Sequence, residues 1–192
     1  MRVVAGSARG IPLQAPRARG TRPITDRVKE TLFGIIGADV VDAEVLDLYA
    51  GSGAIGIEAI SRGARHATFV ELGRDALTTI RRNLERTRLA EQATVIGSTV
   101  ERFLALPPTR AYDLVVLDPP YDERAILAPL QALGPHLAGR ATVVVKHFWR
   151  TEIETPGWLE TVRERRFGET ALTFLVQTPT VATSAAAEER DQ

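Results

Sequence analysis

The chain has 192 residues, with 24 basic and 24 acidic side chains and a formal net charge of zero. That length suits one domain plus an appendage, and the balanced charge excludes polyanion binding by bulk charge alone. The absence of cysteine excludes disulfides, thiolate zinc sites and thiolate nucleophiles.

Residues 1–25 hold Arg2, Arg9, Arg17, Arg19 and Arg22 and no acid. Glycines and prolines at 6, 10, 12, 16, 20 and 23 rule out a long helix. Residues 2–5 and 11–14 predict a small hairpin around a turn at 6–10. An acid-free, Arg-rich stretch reads as a basic arm that grips phosphates, with a leader peptide or a solvated tail as the alternatives. Then Thr25 and Asp26 suit an N-cap and a first helical turn, and Arg27 opens that helix. Val28, Leu32, Ile35 and Ile36 follow helical spacing, and Gly37 ends it.

Residues 45–59, Val-Leu-Asp-Leu-Tyr-Ala-Gly-Ser-Gly-Ala-Ile-Gly-Ile-Glu-Ala, read strand, glycine turn, helix. Gly51, Gly53 and Gly56 match G-x-G-x-x-G in the context that pattern requires. A strand over 68–71 ends in Glu71, 20 residues after Gly51. An acid there suits the two ribose hydroxyls of a nucleoside. The set points to a nucleoside cofactor, and a nicotinamide dinucleotide fits it as well as S-adenosylmethionine. Residues 74–88 form an amphipathic helix with a solvated charged face. A third strand at 94–96 leads to Gly97-Ser98-Thr99 and a short helix over 100–106. Ser98 either meets an adenine there or caps that helix, and capping is the simpler role.

Residues 114–117 are an unbroken apolar run, a buried strand. It stops at Asp118-Pro119-Pro120-Tyr121, because two prolines remove two ladder donors and stiffen the turn. A carboxylate, a rigid corner and a ring therefore sit at a strand's carboxyl end, where open α/β sheets bind ligands. A helix over 123–133 and a fifth strand over 141–145 follow. Residues 146–150, Lys-His-Phe-Trp-Arg, are a basic and aromatic strand end, either an RNA edge or ordinary surface. Residues 161–167 and 170–176 read as a closing hairpin, and 178–192 as a disordered tail. His66, His136 and His147 are too scattered to propose a metal site. No window approaches a membrane span, so a soluble cytoplasmic protein is expected.

Taken together these residues resemble the RsmD family, bacterial 16S ribosomal RNA guanine-N2 methyltransferases. The likeness spans about residues 2–177. It is carried by Val3-Val4-Ala5-Gly6, Arg9-Gly10, the block from Arg22-Pro23-Ile24-Thr25-Asp26-Arg27 to Phe33, residues 47–59, Glu71 and Asp118-Pro119-Pro120-Tyr121. The block ending at Phe33 is the specific part; the glycine and Asp-Pro-Pro motifs occur in many methyltransferases. The chain departs from the family at Gly97-Ser98-Thr99, where relatives commonly carry Asp or Asn against the adenine.

The resemblance implies an α/β, Rossmann-like, S-adenosylmethionine-dependent methyltransferase fold. Its seven-stranded sheet would be mostly parallel, the last hairpin giving one antiparallel strand, with a small basic hairpin or arm at the N-terminus. Residues 1–23 would be the arm, 24–177 the catalytic domain and 178–192 the tail. The implied cofactor is S-adenosylmethionine. Asp47, Tyr49, Ala50, Gly51, Ser52, Gly53, Gly56, Glu71, Ser98 and Thr99 would bind it. Asp118, Pro119, Pro120 and Tyr121 would be catalytic, with Tyr121 stacked on a flipped guanine. Arg2, Arg9, Arg17, Arg19, Arg22 and Arg27 would hold 16S ribosomal RNA, in a monomer acting on the assembling small subunit without a metal. Three other readings stay open: a DNA or RNA adenine-N6 methyltransferase, a dinucleotide-dependent oxidoreductase and a non-catalytic RNA-binding relic.

Overall fold

A computed structural model describes residues 1–16, 24–119 and 124–178. The chain order is α1 (Asp26–Ile36), β1 (Glu44–Leu48), α2 (Ala54–Ser61), β2 (His66–Glu71), α3 (Arg74–Thr87), β3 (Ala93–Gly97), α4 (Val100–Leu104), β4 (Tyr112–Leu117), α5 (Arg124–Ala132), β5 (Leu137–Phe148), β6 (Leu159–Phe167) and β7 (Thr170–Gln177). The seven strands form one sheet in the order β3-β2-β1-β4-β5-β7-β6. β1 to β5 are mutually parallel, and β7 is antiparallel to both β5 and β6. This is the expected Rossmann-like α/β architecture, with β7 as its one antiparallel strand.

The strand order follows from sequence separation and handedness. Each parallel neighbour needs a crossover helix, and right-handed crossovers put helices on both faces. The side-chain alternation of β4 shows the result. Leu114 and Val116 join one core layer, with Val28 and Leu32 of α1, Ile57 of α2 and Ile80 of α3. Val115 and Leu117 join the other, with Leu104 of α4 and Leu130 of α5. The order reverses between β1 and β4: from β1 the chain builds outward through β2 and β3, then returns to the other side. Such a switch point opens a crevice at the strands' carboxyl ends.

The predicted hairpin is present. Val3 N–H donates to Ile11 O, Gly10 N–H to Val3 O, and Leu13 N–H to Met1 O. Its apolar side chains, Val3, Ala8 and Leu13, are buried in the same layer as α1 to α3. Gly6 sits against α2 at φ 83°, where a Cβ would stand 1.6 Å from Ser61 O, so only glycine permits this approach.

The element bounds differ from the sequence reading mainly at β5, which runs Leu137–Phe148 where 141–145 was expected. Past the end of β4 it continues against β7, pairing Lys146 with Leu172 and Phe148 with Thr170. That pairing is non-local, so no local apolar pattern announces it.

Candidate active site

A cavity of about 450 Å³ opens at the carboxyl ends of β1, β2 and β4. Its wall carries Asp47, Tyr49, Ala50, Gly51 and Ser52 after β1, Glu71 after β2, Ser98 to Glu101 after β3, and Asp118 and Pro119 after β4. Ala15, Pro16 and Ile24 complete it from the N-terminal segment. The cavity therefore gathers every expected cofactor residue except Gly53 and Gly56, together with the described half of the Asp-Pro-Pro-Tyr turn. Pro120 and Tyr121 lie outside the described residues.

The glycine loop is held from three sides. Gly56 N–H donates to the buried Asp47 carboxylate at 3.0 Å, tying the start of α2 to the end of β1. A Cβ on Gly56 would meet the Phe69 ring at 2.4 Å, so the absent side chain lets α2 lie close on β2. Gly51 N–H donates to Glu71 Oε2 at 2.9 Å. Ser52 O accepts from Asn83 Nδ2 at 2.9 Å, and the same amide grips Gln14 through both its N–H and its carbonyl. Asn83, on α3, thus joins the loop to the segment that supplies Ala15 and Pro16. The sequence reading missed it, since a single Asn in a charged helix looks like solvated surface.

The structure adds backbone partners to Glu71 and corrects the cap expected at Ser98. Glu71 does more than wait for a ribose: Oε1 accepts from Leu72 N–H at 2.8 Å and Gly73 N–H at 2.7 Å, while Oε2 braces the loop. The residue that caps α4 is Thr99, whose hydroxyl accepts from Arg102 N–H at 3.2 Å. Ser98 instead donates its backbone N–H to Glu71 O. Tyr49 adopts φ 58°, and its hydroxyl donates to Glu101 Oε1 at 3.2 Å. Burial and the Glu101 charge hold that phenol protonated well above its ordinary range.

The cavity is strongly one-signed. Asp47, Glu71, Glu101 and Asp118 line it, and no Lys or Arg does among the described residues. Asp47 shows the consequence. Burial pushes its carboxyl well above the usual range, the Gly56 N–H opposes this, and the nearby Asp118 and Glu71 charges add to it. A cationic ligand relieves such crowding; an anionic one worsens it.

Asp118 sits at the switch point, its N–H donating to Leu48 O at 3.3 Å. Lys146 Nζ donates to its Oδ1 at 2.6 Å. Burial raises the Asp118 carboxyl, while the Lys146 charge and hydrogen bond lower it. Sequence reasoning put Lys146 in a basic strand end and missed this contact. The register accounts for it: Leu117 pairs with Val145, so the next residue on each strand is Asp118 and Lys146.

The rest of that basic stretch turns partly inward. His147 is buried, with Nε2 2.9 Å from Thr173 Oγ1 and Nδ1 2.8 Å from Phe148 O. The guanidinium of Arg166 lies 3.5 Å over the Trp149 ring, and that of Arg150 at 4.7 Å. Of the expected RNA contacts, Arg2, Arg9 and Arg27 are exposed. Arg2 is also bonded to Asp26 at 3.1 Å. Arg17, Arg19 and Arg22 lie outside the described residues. Among the described residues no cluster of His, Asp or Glu converges as metal ligands, and no helix is long and apolar enough to cross a membrane.

Comparison with known proteins agrees with this geometry. The family model described as conserved hypothetical protein 95 matches residues 1–176. The chain is 37% identical over 177 residues to the putative rRNA methyltransferase YlbH of Bacillus subtilis, covering 90% of this chain and 96% of that one. It is 43% identical over 121 residues to ribosomal RNA small subunit methyltransferase D of Escherichia coli K12, covering 63% of this chain and 60% of that one. The solved structure of the putative methyltransferase yhhF from Escherichia coli superposes with a TM-score of 0.82 at 34% identity, covering 92% of this chain and 97% of that one.

Proposed function

The chain belongs to the conserved hypothetical protein 95 family, the RsmD family of ribosomal RNA methyltransferases, and from that premise we propose that it methylates the exocyclic N2 of a guanine in 16S ribosomal RNA. The methyl donor is S-adenosylmethionine. The observation that carries the reading is one cavity that joins a nucleoside-type glycine loop to Asp118-Pro119, lined by four carboxylates and by no basic side chain among the described residues. A sulfonium suits that field. The pyrophosphate of a nicotinamide dinucleotide would enter a wall of carboxylates with no basic side chain on it among the described residues, so the oxidoreductase reading loses ground.

When bound, S-adenosylmethionine supplies a methyl made electrophilic by its positive sulfur. The chain's residues hold and aim. Asp47 and the loop at 49–53 would take the methionyl part, Glu71 the ribose, and Ser98 and Thr99 the adenine end. A base amino group is a poor nucleophile, because its lone pair is conjugated into the ring. Asp118 and the Pro119 carbonyl accept its two hydrogens and turn the lone pair toward the methyl. Tyr121 stacks on the flipped guanine and fixes its plane. Positioning for in-line displacement supplies the rate, and the excess proton leaves after transfer. On this reading residues 1–23 grip RNA, 24–177 carry the chemistry, and 178–192 form a tail. The protein works as a cytoplasmic monomer on the assembling small subunit. Labelled methyl transfer to ribosomal particles and to protein-free 16S RNA, with nucleoside identification, tests the whole. N2-methylguanosine is expected; N6-methyladenosine would reassign the substrate, and no incorporation would defeat the reading.

Two further results are expected. Glu71→Ala should weaken S-adenosylmethionine binding by about 30-fold, near 2 kcal/mol, because it removes charge-assisted contacts and unbraces Gly51. Glu71→Gln should do little better. Both oxygens now accept backbone N–H groups, so an amide turns a donor toward a donor. Calorimetry with the cofactor decides, and unchanged affinity would remove Glu71 from the site. The second concerns the arm. Replacing Arg9, Arg17, Arg19 and Arg22 should flatten the salt dependence of RNA binding by roughly 0.7 log–log units per lost contact. Cofactor affinity should hold. An unaltered slope would make those arginines bystanders.

A further inference from the structure

We propose that Lys146 is a positioning residue for the transfer: from behind the cavity wall its ammonium holds the Asp118 carboxylate ionised and fixes which oxygen meets the substrate. The role rests on the reading of the reaction given above.

The geometry supports three steps. First, Lys146 is built into the fold. β5 continues past β4 at this point, and β7 holds its free edge through the Lys146–Leu172 pair. The Lys146 side chain is 10% exposed and that of Asp118 26%. Neither is a floppy surface partner, so the 2.6 Å contact is set by backbone placement. Second, Lys146 does not line the cavity while Asp118 does. The ammonium therefore touches the carboxylate without competing for substrate space. By occupying Oδ1 it leaves Oδ2 as the acceptor for the base amine. Third, the chemistry needs an acceptor. A carboxylate only accepts, whereas a carboxylic acid presents an O–H donor to an amino group that is itself a donor.

The surroundings of Asp118 make the protonated form a real hazard. Burial raises its carboxyl, and the neighbouring Asp47 at the end of β1 is itself raised by burial and by the Asp118 and Glu71 charges. Lys146, from β5, is the group that acts in the other direction. Sheltered pairs of this kind exchange desolvation for attraction and often add little stability. A contact placed beside a reacting group and contributing little to folding fits a tuning role better than a structural one.

The test uses Lys146→Met, which keeps the stem and removes the charge, and Lys146→Arg, which keeps the charge. Carboxyl-carbon NMR of Asp118 in the cofactor-free protein should show its titration moved to higher pH in the Met variant and restored in the Arg variant. The acid limb of the single-turnover rate against pH should move the same way. Below neutral pH the Met variant should be slower by about tenfold or more and should recover toward alkaline pH. S-adenosylmethionine affinity should stay within a few-fold. Lys146→Gln carries the same measurements if the Met variant folds poorly. An Asp118 titration unchanged by loss of the charge, or a rate loss equal at every pH, would overturn the proposal. Wild-type protein that forms no N2-methylguanosine, with the titration shift intact, would overturn the assigned reaction and this role in it but leave the coupling standing.

Discussion

Asp118→Ala is expected to lose single-turnover methyl transfer by roughly 100-fold or more while binding S-adenosylmethionine within about threefold of wild type. Binding should survive because the proposed cofactor residues, Asp47, the glycine loop and Glu71, are braced by contacts that do not pass through Asp118. The rate should not, because an amine without its acceptor keeps its lone pair in the ring. The substitution also strands Lys146, whose ion-pair partner among the described residues is Asp118. A loss of stability on the order of 2 kcal/mol is expected from that, so rates must be taken well below the melting point.

Asp118→Asn separates the roles further. The amide retains one acceptor oxygen, and Lys146 is the strongest donor beside it. The ammonium should claim that oxygen and turn the NH2 toward the base, donor against donor. The Asn variant should thus fold better than Ala yet transfer methyl nearly as slowly. Adding Lys146→Met should free the oxygen and recover part of the rate. Near-wild-type transfer by the Ala variant would sink the assignment of Asp118 and much of the case for amino-group methylation.

How legible these features were depended on whether their cause was local. The glycine loop, Glu71 and the Asp118-Pro119 corner are strand-end features, and a strand followed by a turn is visible in a short window. The one antiparallel strand likewise followed from the family resemblance. Lys146 was hidden, since its burial comes from β7, about 25 residues further on. Ala15, Pro16 and Ile24 were hidden for a similar reason: only packing brings the N-terminal segment over the crevice. Lys29 is the instructive case. It stands three, four and seven residues before Leu32, Phe33 and Ile36, so it lies on the apolar stripe of α1. A charge at that place, in a helix otherwise patterned well, demands a buried partner. Glu58, amid the apolar residues of α2, made the matching signal. Each alone looks like an ordinary helix charge; the pair is what informs.

The second large effect follows from that pair. Lys29 and Glu58 are both fully buried, 3.3 Å apart. Glu58 accepts from Val4 N–H at 2.8 Å, Ala5 N–H at 2.9 Å and Arg62 Nε at 2.9 Å as well. Lys29 also donates to Arg2 O. The carboxylate is thus the latch that fastens the N-terminal hairpin to α2, beside the Ser61 contacts to Ser7 and Ala8. Glu58→Ala removes four acceptances at once and leaves a buried ammonium with Asp26, 3.8 Å away, as its remaining counterion among the described residues. A destabilisation of about 3–5 kcal/mol is expected, a fall in melting temperature on the order of 10 °C for a domain of this size. The damage should reach the active site, since the segment after the hairpin supplies Ala15 and Pro16 to the cavity wall. S-adenosylmethionine affinity should therefore fall although Glu58 does not line the cavity. Hydrogen exchange gives the local readout: the amides of Val4, Ala5 and Ala8 should lose protection before the sheet does. Lys29→Met combined with Glu58→Gln is the decisive control. It removes both charges and keeps an acceptor for the hairpin, so it should be less destabilised than the sum of its single changes. A Glu58→Ala protein melting within about 2 °C of wild type, with those amides still protected, would mean that the hairpin is held by its apolar side chains and not by this carboxylate.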